Sequence, residues 1–168
     1  MALLTIIKYP DSRLRRVALN VDCFDDTLQR FVKDMIETMY HDGGIGLAAA
    51  QVADQRALFV MDATGLKSPC CYINPELISS EGSCTQDEGC LSFPGVYASV
   101  TRPESIVIRA YDESGMQFEV KKEGLEARCI LHEMDHLKGK MFIDHLSPLK
   151  RRMIEKKYQK QVAALSEH

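Results

Sequence analysis

No apolar run in this chain approaches the ~20 residues that a membrane span needs, and no two of its cysteines stand in a C-x-x-C spacing. The first absence excludes a membrane-spanning helix. The second argues against a zinc ribbon, and adjacent Cys70 and Cys71 are poorly placed to bridge one another, so no disulfide framework is expected. A dominant charge is lacking too: 21 Lys and Arg against 24 Asp and Glu leave a net charge of -3. That balance gives no global electrostatic case for DNA or an acidic surface. Met1 to Lys8 is apolar at six of its first seven positions, but no small-residue cleavage site follows a long apolar run, so a cytoplasmic protein with no membrane partner is expected.

There is neither an internal repeat nor a low-complexity linker, and 168 residues at 45% hydrophobic content can bury one good core. Residues 1–168 are therefore expected to form a single domain, with 148–168 as a basic C-terminal helix. Of the six cysteines (Cys23, Cys70, Cys71, Cys84, Cys90, Cys129), most are expected to be small buried hydrophobes. One is free to serve as a ligand.

After Asp25 and Asp26, the apolar residues Leu28, Phe31, Val32, Met35, Ile36 and Met39 recur at helical spacing until Gly43 and Gly44 stop the pattern. Small residues then run from Gly44 to Gln51. Short β-branched or aromatic stretches follow at 58–61, 71–73, 77–79, 97–100, 105–111 and 117–120, with a hairpin turn at 112–115. Ser147 and Pro148 start a last helix as cap and first-turn proline. Its stripe of Leu149, Met153, Ile154, Tyr158 and Val162 is narrow against Lys150, Arg151, Arg152, Lys156, Lys157 and Lys160. This order predicts an α+β fold, with antiparallel strands packed around a central helix between an N-terminal and a C-terminal one.

The central helix carries the chemistry. In His132-Glu133-Met134-Asp135-His136 the two imidazoles lie one turn apart on one face and can reach a single ion, with Glu133 beside it. Leu125, Cys129, Ile130, Leu131 and Leu137 predict an apolar face between Gly124 and Gly139, so a buried helix of about four turns is expected. Buried His, Glu and Asp need compensation, which a metal provides. Catalytic metal sites usually combine three protein ligands with one open position, and Cys90 in Glu88-Gly89-Cys90-Leu91-Ser92 is the best third.

Three segments thus coincide: Gly44 to Gln51, Glu88 to Ser92, and His132 to His136. In this order and spacing they closely resemble bacterial peptide deformylase, from Tyr9-Pro10-Asp11 to Leu146-Ser147-Pro148-Leu149. The resemblance implies removal of the formyl group from N-formylmethionine on nascent polypeptides, with release of formate. It implies a metal on Cys90, His132 and His136, with Glu133 as acid/base. The Gln51 side chain and the Leu91 backbone N–H would face the formyl oxygen, and Gly44, Ile45, Gly46 and Leu125 would line the substrate site. Fe(II) is the ion the resemblance favours, although two imidazoles and a thiolate also suit Zn(II), Ni(II) or Co(II).

Two rival readings share parts of this pattern. A zincin-type peptidase has the helix motif but also a third histidine or distal glutamate, which is lacking here. A peptide-binding module with a structural metal would close its site with a fourth ligand, for which Cys84, Cys129 or His145 are candidates. Further expectations concern support of the site. Glu88 and Arg102 are expected to pair behind Cys90, as in the family. Arg128, one turn before His132, is expected to lay its methylenes along a methionine pocket with its guanidinium in solvent at the rim, or else to pair with Glu126 or another surface acid without meeting substrate; Gln86 is expected as a second polar residue near the pocket. The basic last helix is a candidate contact for ribosomal RNA.

Overall fold

The computed structural model describes residues 2–166. Helix α1 spans Asp26–His41, capped by the Asp25 carboxylate, which accepts from Leu28 N at 2.9 Å. Its face of Leu28, Val32, Met35 and Met39 is buried, with Phe31 and Ile36 packed at the edge of the same cluster. Helix α2 covers Gly124–Leu137 and α3 covers Pro148–Ser166, where Ser147 Oγ accepts from Lys150 N. Residues 167–168, the end of the expected C-terminal helix, lie outside the described residues.

Among the described residues, seven strands form two antiparallel sheets. They are β1 (Gly46–Ala48), β2 (Leu58–Met61), β3 (Cys70–Glu81), β4 (Cys84–Cys90), β5 (Phe93–Arg102), β6 (Ser105–Tyr111) and β7 (Gln117–Glu123). The larger sheet has the order β1-β2-β3-β6-β7, and β4 with β5 forms a separate hairpin. Strands β2 and β6 have the expected bounds. The stretches expected at 71–73 and 77–79 are one strand, because register shifts on either side of Glu76 and Leu77 absorb the break at Asn74 and Pro75. Strand β4 was not foreseen, since Thr85, Gln86, Asp87, Glu88 and Gly89 have neither apolar alternation nor β-branched density.

Three apolar clusters hold these layers together. Helix α1 packs on Leu47, Leu58, Val60 and Ile73; α2 packs through Ala127, Ile130 and Met134 on Phe59, Tyr72, Ile106 and Ile108. The third joins the hairpin residues Phe93, Val96 and Val100 to Phe142, Ile143 and Tyr158. Two expectations about burial are corrected. Only Cys71 and Cys129 are buried, whereas Cys23 and Cys70 are exposed and Cys84 and Cys90 intermediate; Leu125, at the first turn of α2, is half exposed rather than part of an apolar core face.

Because the Tyr158 ring packs tilted on Phe93, with centroids 4.4 Å apart, and is 4% exposed, α3 is docked on the hairpin. Tyr158→Ala is expected to cost about 3 kcal/mol of stability, within the range for deleting a buried aromatic. Urea unfolding checks this, and a loss under about 0.5 kcal/mol would mean that α3 is not held there.

Candidate metal centre

The hairpin and α2 meet at three potential ligands. The candidate ligand atoms of Cys90, His132 and His136 all lie within 4.8 Å of one another, and Cys90 Sγ is 3.4 Å from His136 Nε2. A tetrahedral ion with sulfur at ~2.3 Å and nitrogen at ~2.0 Å sets such atoms about 3.5 Å apart. The residues present therefore fit a divalent metal. Among the described residues no fourth His, Cys, Asp or Glu joins this group: Cys129 Sγ faces Ile45 O, and His145 bonds Asp135 at 2.7 Å. A closed four-ligand structural site is not built.

Charge around the ligands agrees. Burial alone would depress His132, but Cys90, Glu88 and Glu133 raise it well above the ordinary imidazole range, so the spot attracts positive charge. Burial pushes His136 down, which keeps its imidazole neutral. Burial also raises Glu133 to about 7, and its Oε2 is buried without a hydrogen-bond partner among the described residues. A buried oxygen left this way is unusual in a purely structural role.

Glu88 sits directly behind His132, its Oε1 2.9 Å from Nδ1, which directs Nε2 toward the ligand group. Arg102 grips the same carboxylate through Nε at 2.5 Å and Nη2 at 2.8 Å, and reaches Asp135 at 3.0 Å. The expected Glu88–Arg102 pair is present. Burial works against the Glu88 charge, but hydrogen bonds from Arg102 and His132 hold its carboxyl at about 2.

A cavity of about 590 Å³ opens on the centre. Gly44, Ile45, Gly46, Gln51, Cys90, Leu91, Leu125, Arg128, His132 and Glu133 all line it, while His136 is fully buried behind. Gln51 is fixed by Ala48 N donating to its Oε1 at 3.0 Å, and its Nε2 donates to Ser92 Oγ at 3.2 Å and lies 3.5 Å from Cys90 Sγ. Glycine is needed at 46, since a Cβ there would lie 2.7 Å from Cys129 Sγ and 3.0 Å from Glu133 Oε1, whereas at 89 a Cβ would meet only the exposed Tyr97 ring, at 2.6 Å. Lys8, Asp87 and Tyr97 also line the cavity. Sequence patterning carried no signal for them, because each is brought in by a loop or by the hairpin.

Two expectations fail here. The Arg128 guanidinium is neither at a solvent rim nor on Glu126, which pairs with Lys122 at 3.0 Å; the residue is 6% exposed and donates to Glu88 at 2.6 Å. The helix places it opposite the hairpin, where a stronger acceptor waits. Gln86 is exposed on β4 opposite Val100 and does not line the cavity.

Three candidate ligands with an open side, a buried carboxylate next to them and fixed polar groups around a cleft are the arrangement used by metal-dependent hydrolases of amides. A family model described as polypeptide deformylase matches residues 3–152. "Peptide deformylase 1" of Shewanella oneidensis is 50% identical over 95% of this chain and 96% of its own length, and "Peptide deformylase" of Azotobacter vinelandii is 50% identical over 96% and 97%. Among solved structures, a peptide deformylase from Legionella pneumophila superposes with a TM-score of 0.94 at 43% identity, covering 99% of both chains. One from Ehrlichia chaffeensis, in complex with actinonin, gives 0.90 at 35% identity over 96% of this chain and 98% of that one. The chain belongs to the polypeptide deformylase family.

Arg102 balances Glu88 and Asp135 at 4% exposure. Arg102→Ala is expected to cost about 3 kcal/mol, because it removes two of the four N–H donors on the buried Glu88 carboxylate and one partner of Asp135. Denaturant unfolding measures this; a cost near that of a surface pair, under ~1 kcal/mol, would contradict it.

Proposed function

We infer that this chain is a metal-dependent peptide deformylase that hydrolyses the formamide of N-formylmethionyl peptides, releasing formate and a free amino terminus. The observation that carries the reading is the convergence of Cys90, His132 and His136 beside the unpartnered Glu133 carboxylate in a family member. Cys90, His132 and His136 would hold the ion, and Fe(II) is our assignment for the resident metal, with Zn(II), Ni(II) or Co(II) compatible with the same donors. When bound, it supplies the Lewis acidity that makes a water nucleophilic near neutral pH. Glu133 takes the proton of the attacking water and returns it to the leaving amine, a task suited to a carboxyl raised to about 7. The Gln51 amide and the Leu91 backbone N–H are assigned to the developing negative oxygen. Gly44, Ile45 and Gly46 offer backbone to an extended peptide, and Leu125 with the Arg128 methylenes forms wall for the first side chain.

Residues 1–168 are read as one catalytic domain working in the cytoplasm, where nascent chains emerge; no described helix is long and apolar enough to cross a membrane. Lys150, Arg152, Lys156, Lys157 and Lys160 are exposed along α3 and form the proposed contact with the ribosome. Since Tyr158 on the same helix is buried, that contact is best tested without deleting the helix. Replacing the five lysine and arginine residues by glutamine is expected to abolish ribosome co-sedimentation at low salt while leaving turnover of a free formyl-Met peptide intact. Unchanged co-sedimentation would refute the contact.

Glu133→Gln should retain metal and fall below about a tenth of wild-type turnover, because the ligands stay and the proton acceptor goes. Cys90→Ala should instead fail to hold a stoichiometric metal. Metal analysis alongside hydrolysis of formyl-Met and acetyl-Met peptides tests both, and equal turnover of the two peptides would overturn the deformylase reading.

A further inference from the structure

Glu88 accepts from four N–H groups: Arg102 Nη2 and His132 Nδ1 on Oε1, and Arg102 Nε and Arg128 Nη1 on Oε2. A carboxylate has about four acceptor sites, so this one is full. Arg128 is the member without an assigned part in the metal centre. Its Nη1 also donates to Val100 O at 2.9 Å, and its Nη2 to Cys84 O at 2.7 Å. One buried guanidinium on α2 therefore grips the middle of the hairpin, the open end of β4 and the carboxylate behind His132.

This grip matters because no strand of the larger sheet pairs with β4 or β5. The separation of Cys90 from the two histidines is thus set by side chains rather than by a backbone ladder. Among the described residues six side-chain hydrogen bonds join α2 to the hairpin, and Arg128 makes three of them. The others are Cys90 with His136, Asp135 with Arg102, and His132 with Glu88.

We propose that Arg128 is a positioning residue for the metal centre: it locks the Cys90 hairpin onto the histidine helix and fixes the carboxylate that orients His132. The proposal rests on the reading of Cys90, His132 and His136 as the ligand set. A guanidinium suits the task because its rigid fork serves three acceptors at once, whereas an ammonium is a point charge on a flexible stem. Partners behind a metal ligand typically change metal affinity about 10- to 100-fold when removed.

The test compares Co(II)-loaded wild type with Arg128→Met, which keeps an unbranched apolar stem along the cavity, and with Arg128→Lys. Each is challenged with a chelator well below its melting temperature, and metal loss is followed by the thiolate-to-cobalt absorption. Arg128→Met is expected to release cobalt about 10- to 100-fold more readily, with a shifted absorption band, and Arg128→Lys to fall between it and wild type. Retention within about twofold of wild type and an unchanged band in Arg128→Met overturn the proposal and leave Arg128 as cavity wall. If that variant does not fold, wild-type retention in Arg128→Lys overturns it equally, and collapse of both would make Arg128 a residue of the fold alone. Cys90→Ala, loaded in parallel, separates the two readings. Should it hold cobalt as wild type does, the ligand assignment fails; should it lose cobalt while Arg128→Met keeps it, only the positioning role fails.

Discussion

A single carboxylate, that of Glu88, is where the separate parts of this molecule are tied together. It is 6% exposed and saturated by N–H donors from β5 and from two turns of α2. Bare, such a charge would cost several kcal/mol to bury; surrounded by two guanidiniums and an imidazole, it becomes the fixed point from which His132 is aimed. A buried ionic cluster of this kind contributes little net stability compared with an apolar core of the same shape. What it contributes is geometry, because each oxygen accepts from only particular directions.

The rest of the site follows from how two independent pieces of backbone meet there. The five-stranded sheet and α2 share an apolar core that sets the helix in place, and with it His132, Glu133 and His136. The hairpin has its own core with Phe142, Ile143 and Tyr158, and it brings Cys90. At the edge of the larger sheet, β1 runs against α2, close enough to Glu133 that only glycine fits at 46. This closeness removes water from one side of the carboxylate, and desolvation is the first cause of its raised proton affinity.

Helices α1 and α2 were legible in sequence because burial of one face imposes a period on the residues themselves, and Leu28 to Met39 shows it directly. The convergence of Cys90, His132 and His136 was legible for a different reason: two of them are spaced by one helical turn, and the third stands in a motif of a recognisable family. Strand β4 was not legible. Its residues from Thr85 to Gly89 are polar, and they are extended because β5 pairs with them and because Glu88 is held by side chains far along the chain. Arg128 shows the same limit. Helical periodicity placed it on the face of His132, but its acceptors, Cys84 O, Glu88 and Val100 O, are separated from it by 28 to 44 positions, and no local pattern encodes such a meeting.

The docking of Tyr158 against Phe93 and Tyr9 has a consequence in time as well as in space. A polypeptide is made from its amino end, so the hairpin bearing Cys90 exists long before the residues that cover its apolar side. Ile7, Leu14 and Tyr9 precede the hairpin in the chain, but until Phe142, Ile143 and Tyr158 have been added the apolar cluster around Phe93, Val96 and Val100 is incomplete. The histidine helix can settle on the larger sheet first. The candidate metal centre therefore depends on residues that lie after both histidines in the chain as well as on those before them.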